Sequence, residues 1–321
     1  MSAPSDTPEL APNVPPGATG PAALPWTRLF YWQVRRELWE NRAFYLAPLA
    51  VAGVVLLGFV LGSFGLVAAV LKAATPVAAA PAAVLAHARA VAALSVPYAS
   101  MAGAPALAGI VVAIFYCLAA LNGERRDRSI LFWKSLPVSD AVAVLAKAFM
   151  ALVVQPVAAL AVIVAGQLVV LAYSTAMVAA HGVDPSLLWT HLHLEMIWVM
   201  LPYGMALNAL WYAPLYGWLL LVSAWAKRMT FLWAVGLPLG LALFEYVTLH
   251  THWVWSLLND RVMGAYAQAF SVGGQGKVPI TSLSQVDPGR FFAQPGLWIG
   301  LVVAAATLAA CVWLRRRQDP V

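Results

Sequence analysis

The chain has 321 residues, of which 62% are hydrophobic and only 10% are charged. An ordinary soluble domain carries roughly 25% charged residues, so this composition, with a mean hydropathy of +0.80, excludes a typical soluble domain. The net charge of +6 does not indicate nucleic-acid binding, because the cations are spread among separate segments and form no basic, aromatic-interleaved groove. We therefore predict an all-α membrane protein that contacts the lipid bilayer and no nucleic acid.

The first 25 residues form the first element in chain order. They contain seven prolines, two acids and no Lys or Arg, so they bury too little apolar surface to fold and lack the basic start of a signal peptide. We predict that residues 1–25 form a disordered, proline-rich tail. A short tail is also expected at the other end, at residues 318–321.

Residues 26–43 follow as a predicted helix before the first membrane span. Trp26, Phe30, Val34 and Leu38 recur every four residues and form an apolar line, while most of the charged side chains lie elsewhere on the helix. This pattern favours an interfacial entrance helix that lies in the inner headgroup layer. The alternative is a simple extension of the first transmembrane helix into the cytoplasm.

Six uncharged, apolar runs account for most of the remaining chain. Most of them exceed the roughly 20 residues that an α-helix needs to cross a hydrocarbon core about 30 Å thick. We predict six transmembrane helices within a transmembrane domain of residues 44–317. The expected spans are residues 44–70, 101–121, 147–171, 201–225, 229–249 and 296–314.

The positions of Lys and Arg predict the orientation of the spans, because these side chains are retained on the cytoplasmic side. With the N-terminus inside, the inner segments contain four, five, two and three cations in turn, whereas the outer segments together contain five. We therefore expect both termini to be cytoplasmic, in the inner membrane of a bacterial cell. The same threading leaves a large outer loop, residues 250–295, before the last helix.

The outer loop contains the segment GGQGK, which resembles part of a phosphate-binding loop. The segment lacks the four-residue gap between glycines and the Ser or Thr after Lys277 that such a loop requires, and it is predicted to lie outside the cell. The spans contain no paired carboxylates and no H-E-x-x-H, which intramembrane enzymes need. The sequence therefore predicts no enzymatic activity and no cofactor for this chain.

Two further candidate sites lie toward the outer side. Glu245 is the one acid in a predicted span, about 25 Å from its inner end, and it serves either a structural role or a substrate path. His191 and His193 stand near Glu195, and imidazole and carboxylate ligands suit a transition metal. Because side chains at i and i+2 point to different faces of a helix, interfacial histidines without a metal are the alternative.

Residues 122–140, NGERRDRSILFWKSLPVSD, crowd charged and apolar side chains together in the middle of the chain. The apolar run is too short to span a membrane, Pro137 ends any helix there, and Ser139 is placed to cap the next helix. An apolar patch rimmed by charge on a cytoplasmic loop favours a protein partner. The alternative is a loop that merely lies on the lipid headgroups.

Within this loop, E-R-R-D-x-S at 124–129 is followed by L-F-W, then by S-L-P-V-S, and Lys147 stands at the mouth of the third span. In these features the sequence resembles the ABC-2 type family of ATP-binding-cassette transporter permeases. The wider resemblance covers residues 26–317 and consists of an entrance helix, six spans and a large outer loop before the last span.

The resemblance implies a permease subunit, usually of an exporter, whose loop 122–140 forms a coupling helix seated in a groove of a separate ATPase. The ATPase would bind ATP and Mg, and two such ATPases would assemble with this chain and a second permease copy or paralogue. The docking residues that the resemblance implies are Glu124, Arg125, Arg126, Asp127, Arg128, Ser129, Ile130, Leu131, Trp133, Leu136 and Pro137.

Two alternatives keep the membrane architecture. A non-transporting sensor or anchor subunit would use the same docking loop. An ion-coupled carrier would need buried ionisable groups, for which Glu245 is the single candidate. The uncharged, aromatic-rich spans favour a lipophilic or amphipathic substrate, although the same aromatic side chains could face lipid.

Overall fold

The computed structural model of the protein describes residues 25–75, 81–127, 139–192, 194–264 and 288–317. Every regular element in these ranges is a helix, as the sequence predicts. Six helical segments are long and apolar enough to cross a membrane, so the chain is a multi-pass membrane protein. These segments are Ala43–Ala74, Ala82–Arg126, Asp140–Ala180, Trp198–Trp225, Thr230–Leu249 and Pro295–Arg317.

The described helices are numbered here in chain order. They are α1 Trp26–Glu40, α2 Ala43–Gly62, α3 Leu66–Ala74, α4 Pro81–Arg126, α5 Asp140–Phe149, α6 Gln155–Ala180, α7 Ser186–Leu192, α8 Leu194–Trp225, α9 Thr230–Leu249, α10 Trp253–Met263, α11 Pro288–Phe292 and α12 Pro295–Arg317. A 3-10 turn, Ser63–Gly65, joins α2 to α3. A π-helical turn, Met150–Val154, joins α5 to α6.

Several helices are longer than the spans predicted from sequence. Helix α4 begins at Pro81 and takes in most of the segment 72–100 that the charge pattern left between two spans. The early part of α4 is rich in Ala, the strongest helix former, and the helix continues through Pro97 and Pro105. Its 46 residues extend about 69 Å at 1.5 Å per residue. Helix α4 is therefore longer than a bilayer of about 45 Å, and it either projects beyond the bilayer or crosses it at a tilt.

Helix α1 is separate from the first span. It ends at Glu40, where Asn41 donates hydrogen bonds from its backbone N–H (3.0 Å) and its Nδ2 (2.9 Å) to the carbonyl of Glu37. Helix α1 packs against α5, with the rings of Phe30 and Phe149 5.4 Å apart. Asn41 and Arg42 therefore separate α1 from the first candidate span.

The two largest of four apolar clusters in the described part of the bundle lie along α4. The first surrounds the C-terminal part of α4 and includes Phe44, Tyr116, Cys117, Leu220 and Cys311. The second surrounds the N-terminal half of α4 and includes Val70, Leu94, Met101, Val170 and Leu188. Both clusters bury aromatic, aliphatic and sulfur-containing side chains between helices.

Helices α8 and α12 form the most extensive helix pair in the described part of the chain. They approach closely at Gly217, where a Cβ would collide with the Thr307 hydroxyl. Small residues at such a contact allow membrane helices to pack by van der Waals contact, since lipid tails are as apolar as the helices. The last span is thereby fixed to the centre of the bundle.

Candidate functional site: a buried ion cluster beside loop 122–140

Two helices, α4 and α5, flank the predicted loop 122–140 and include its first and last residues. Helix α4 ends at Arg126, and α5 begins at Asp140 after Ser139, whose Oγ accepts a hydrogen bond from the Val142 N–H at 3.3 Å. The predicted capping role of Ser139 is therefore confirmed. The predicted docking residues from Arg128 to Pro137 lie outside the described residues.

Lys147 is buried at the centre of a charged site on α5. Its Nζ lies 2.7 Å from Oε1 of Glu37, on α1, and 3.0 Å from Oε1 of Glu124, on the last turn of α4. The other Glu37 oxygen, Oε2, accepts a hydrogen bond from the Tyr116 hydroxyl at 2.8 Å. The side chains of Lys147 and Glu37 are only 4% and 3% exposed, so water screens their attraction weakly.

Arg315, in the last turn of α12, extends this site to a fourth helix. Its Nη1 lies 2.5 Å from Oε2 of Glu124, and its Nε lies 2.9 Å from Oδ1 of Asp140. Arg36 approaches Oε1 of Glu37 at 2.9 Å and Oε1 of Glu124 at 3.6 Å. The result is a group of three acids and three bases that joins α1, α4, α5 and α12. We call Arg36, Glu37, Glu124, Asp140, Lys147 and Arg315 the ion cluster, and the end of the bundle that holds it the charged face.

The balance of charge explains how the ion cluster tolerates burial. An isolated buried charge costs several kcal/mol, whereas a paired and hydrogen-bonded charge is tolerated. Burial alone would raise the pKa of Glu37, but Lys147, the Tyr116 hydroxyl and Arg36 together hold that pKa below its ordinary value. Glu37 is therefore an ionised partner of Lys147 over the physiological pH range.

The first predicted docking residues divide into two pairs. Glu124 points into the ion cluster, and Arg125 donates from Nη2 to the carbonyls of Ser223 (2.7 Å) and Ala226 (2.9 Å), at the end of α8. Arg126 and Asp127 point outward, with side chains 82% and 67% exposed. Glu124 and Arg125 therefore anchor the start of the loop to the helix bundle, whereas the next two side chains are exposed.

Comparison with known proteins adds no relative: no family model, no characterised protein and no solved structure matches this chain. The resemblance to ABC-2 type permeases therefore rests on the sequence features of residues 124–147 and on the number and order of the predicted spans.

Sequence reasoning singled out Glu124 and Lys147 but missed their partners Glu37, Asp140 and Arg315. One pattern could have found Glu37. It follows Gln33 by four residues, so the two polar side chains share one face of α1, and both are buried in the structure. Lys147, embedded in an apolar helix, also needs a counter-charge close by. The pairing across α1, α4, α5 and α12 depends on tertiary packing, which spacing along the chain does not reveal.

Glu245 has a structural role at the opposite end of the bundle. Its Oε1 accepts hydrogen bonds from the Thr251 hydroxyl (2.6 Å) and the Trp253 N–H (2.8 Å), and its Oε2 accepts one from the Val254 N–H (2.7 Å). These contacts satisfy free N–H groups at the start of α10, as a helix cap does. Of the two sequence interpretations of Glu245, the contacts favour the structural one.

Helix α10 is held against its neighbours at its other end. The Trp211 indole N–H donates to the Arg261 carbonyl at 3.1 Å, the Tyr212 hydroxyl donates to the Val262 carbonyl at 3.0 Å, and the Arg261 guanidinium donates to the Gly296 carbonyl. Part of the predicted outer loop 250–295 is therefore an ordered helix packed on α8 and α12, and residues 265–287 lie outside the described residues.

The predicted metal site at His191 and His193 stays a prediction, because His193 and the side chain of His191 lie outside the described residues. Among the residues that are described, no group of three or more His, Cys, Asp or Glu side chains is arranged to hold a metal ion. His252 instead stacks on the ring of Tyr246, with centroids 5.1 Å apart.

Proposed function

We propose that this chain is the permease subunit of an ATP-binding-cassette transporter in the cell's inner membrane. In this proposal a separate ATPase docks on loop 122–140 from the cytoplasm, and a second permease copy or paralogue completes the assembly. The cargo is lipophilic or amphipathic and is exported. ATP and Mg bind to the partner, because the chain's own sequence contains no phosphate-binding loop.

The observation that carries the proposal is the position of the ion cluster relative to the loop. Glu124 stands at the last turn of α4 and Asp140 at the first turn of α5, and Arg315 contacts both of them. Lys147 then connects Glu124 to Glu37 on α1. A force applied to the loop therefore acts on two helix ends that are tied to both the entrance helix and the last span.

Such a network is the physical requirement for coupling. Energy passes between distant sites through packed elements and bonded networks that move together. In the proposed mechanism, closure of the ATPases displaces the loop, α4 and α5 move with it, and the ion cluster carries the displacement to α1 and α12. The Arg125 contacts with the carbonyls of Ser223 and Ala226 extend the same movement to α8.

The test is recovery of an ATPase with the intact membrane complex. The tagged chain, extracted in mild detergent from its native host, should co-purify with an ATPase that mass spectrometry identifies. Replacing both Leu131 and Trp133 by Ala should reduce ATPase recovery about tenfold, since central aromatic anchors carry much of the energy of an interface. Trp189→Ala is the matched control, because Trp189 is exposed (53%) on α7, away from the charged face.

Undiminished recovery of the ATPase in the double loop variant would refute the docking role. Transport in inside-out vesicles then separates the remaining alternatives. ATP-dependent movement of a lipophilic dye supports a permease, movement driven by an ion gradient without ATP supports a carrier, and ATPase binding without movement of any tested cargo supports a sensor or anchor subunit.

A further inference from the structure

A cleft opens between α4, the start of α6 and α8. It is open to its surroundings, its volume is about 380 Å³ when that open space is included, and most of its lining is apolar. Four uncharged polar side chains also line it: Gln155, Asn208, Tyr212 and Tyr216. A mostly apolar pocket with a few convergent polar groups is the usual form of a small-molecule site in a protein.

The position of the cleft along α8 is that expected of the hydrocarbon core, counted from the charged face. Ser223, whose carbonyl accepts from Arg125, marks the charged face on α8. Tyr216 and Asn208 precede Ser223 by 7 and 15 residues, which places them about 10 Å and 22 Å along the helix axis. Polar side chains at this depth are costly and commonly line the path of a substrate.

Three of the four polar side chains, those of Gln155, Asn208 and Tyr216, do not serve to join the helices. Gln155 and Tyr216 are 3% and 5% exposed, yet neither side chain, nor that of Asn208, makes a hydrogen bond within the described part of the chain. Interhelical hydrogen bonding, the common structural reason for a polar residue in a membrane helix, therefore does not account for them. Their hydrogen-bonding capacity is available to a molecule in the cleft.

The local backbone places Gln155 in this position. The π-helical turn Met150–Val154 ends there, and the Gln155 N–H donates to the Met150 carbonyl five residues back. Single π turns inside α-helices occur frequently at functional sites. The Gln155 amide then packs directly over Gly109 of α4, where a Cβ would collide with Nε2.

The chemistry of the lining selects the ligand. Among the described residues, no acid, Lys, Arg or His lines the cleft, so an ionised ligand would leave a charge unpaired in a low-dielectric site. Amide and hydroxyl groups can donate to and accept from a neutral alcohol or amide. We propose that this cleft binds the uncharged polar end of a neutral amphipathic molecule, such as a long-chain alcohol or amide, while the apolar chain lies against α4 and α8.

This site would be the cargo site of the transporter, and that part of the inference rests on the proposed function. Binding itself does not depend on an ATPase. Tyr212, which lines the cleft, also donates from its hydroxyl to the Val262 carbonyl of α10. A molecule bound in the cleft would therefore contact a side chain that is hydrogen-bonded to α10.

The test is photolabelling of the purified full chain in lipid nanodiscs with a diazirine-bearing long-chain alcohol. A carboxylic acid and an alkane with the same chain and diazirine serve as ionised and apolar comparisons. The alcohol should label peptides of the cleft, and Gln155→Leu and Tyr216→Phe should each reduce that labelling about three- to tenfold, the range expected for a lost hydrogen bond. Ala106→Leu, which fills the cleft, should abolish it.

Two matched controls keep the test specific. Tyr246→Phe removes a hydroxyl from a tyrosine that is 54% exposed on α9, and Ala161→Leu enlarges an exposed residue on α6. Both should leave labelling unchanged. Equal cleft labelling by alcohol, acid and alkane, or full labelling of Ala106→Leu, would overturn the inference. If no ATPase co-purifies with the wild-type chain while the cleft is still labelled, the transport proposal fails and the binding site stands.

Discussion

The two ends of this bundle bury acidic side chains in different ways. At the charged face, Glu37 and Glu124 are neutralised by Lys147 of α5, by Arg36 of α1 and by Arg315 of α12. At the opposite end, Glu245 accepts its hydrogen bonds from Thr251 and from two backbone N–H groups fewer than ten residues away in the chain. The first arrangement ties distant helices together, whereas the second organises one helix joint.

This difference separates global from local consequences. Removal of one charge from the ion cluster affects α1, α4, α5 and α12 together, because each member has partners on other helices. Removal of Glu245 affects the start of α10, whose far end is held independently by Trp211 and Tyr212. Experiments that compare the two ends can therefore test whether the charged face acts as a single unit.

The largest expected effect comes from Lys147→Met. The change leaves Glu37 and Glu124 buried with an excess negative charge, and removing one partner of a buried pair typically costs about 3 to 5 kcal/mol. The free energy of unfolding in mixed micelles should fall by that amount. Adding Glu37→Gln leaves two acids and two bases in the cluster, so the double variant should recover a large part of the loss. An additive loss in the double variant would show that the two residues act separately.

A smaller effect is expected from Arg315→Lys. A single ammonium cannot reproduce the paired contacts of the guanidinium with Glu124 and Asp140, so one helix contact is lost. We expect a cost of about 1 to 2 kcal/mol in the same measurement. Arg316→Lys is the matched control, because Arg316 is exposed one residue further along α12. An equal effect of both changes would mean that the Arg315 contacts contribute nothing beyond surface charge.

The contrast between the two ends also explains what could be predicted from sequence. The six spans follow from apolar runs, and the Ser139 cap from its place before Asp140, because both depend on neighbouring residues. The predicted second span, residues 101–121, is shorter than α4, which begins at Pro81 because the Ala-rich sequence there favours a helix. Direct contacts within the ion cluster join residues up to 191 positions apart, as with Glu124 and Arg315, and no local pattern specifies such pairing.

Glu245 offers the local counterpart of the cluster variants. Glu245→Leu removes all three acceptor contacts at the start of α10, whereas Glu245→Gln keeps one acceptor oxygen. Loss of a cap favours local opening of a helix. Amide hydrogen exchange in residues 253–263 should accelerate about fivefold or more in the Leu variant and less in the Gln variant. Exchange in α5 and α12 should stay unchanged, and acceleration there would contradict the local role of Glu245.

The smallest expected effect is the response of the charged face to acid. The pKa of Glu37 is held below its ordinary value of 4.5, so its contribution to stability is complete above about pH 4.5 and is lost as the pH falls through the lower pKa of the folded state. Glu40 acts in the opposite sense, because burial raises its pKa and its protonation on acidification favours the folded state. Its side chain is 56% exposed, so that contribution is small.

Melting temperatures measured in detergent between pH 6 and pH 3.5 distinguish these contributions. The wild-type chain should lose stability below pH 4.5 more steeply than Glu37→Gln, since the variant has no carboxylate to protonate at that position. Glu40→Gln should follow the wild-type curve closely. Identical curves for the wild type and Glu37→Gln would show that the Glu37–Lys147 pair is not maintained as an ion pair, and the charged face would then lack the connection between loop 122–140 and α1 on which the proposed coupling depends.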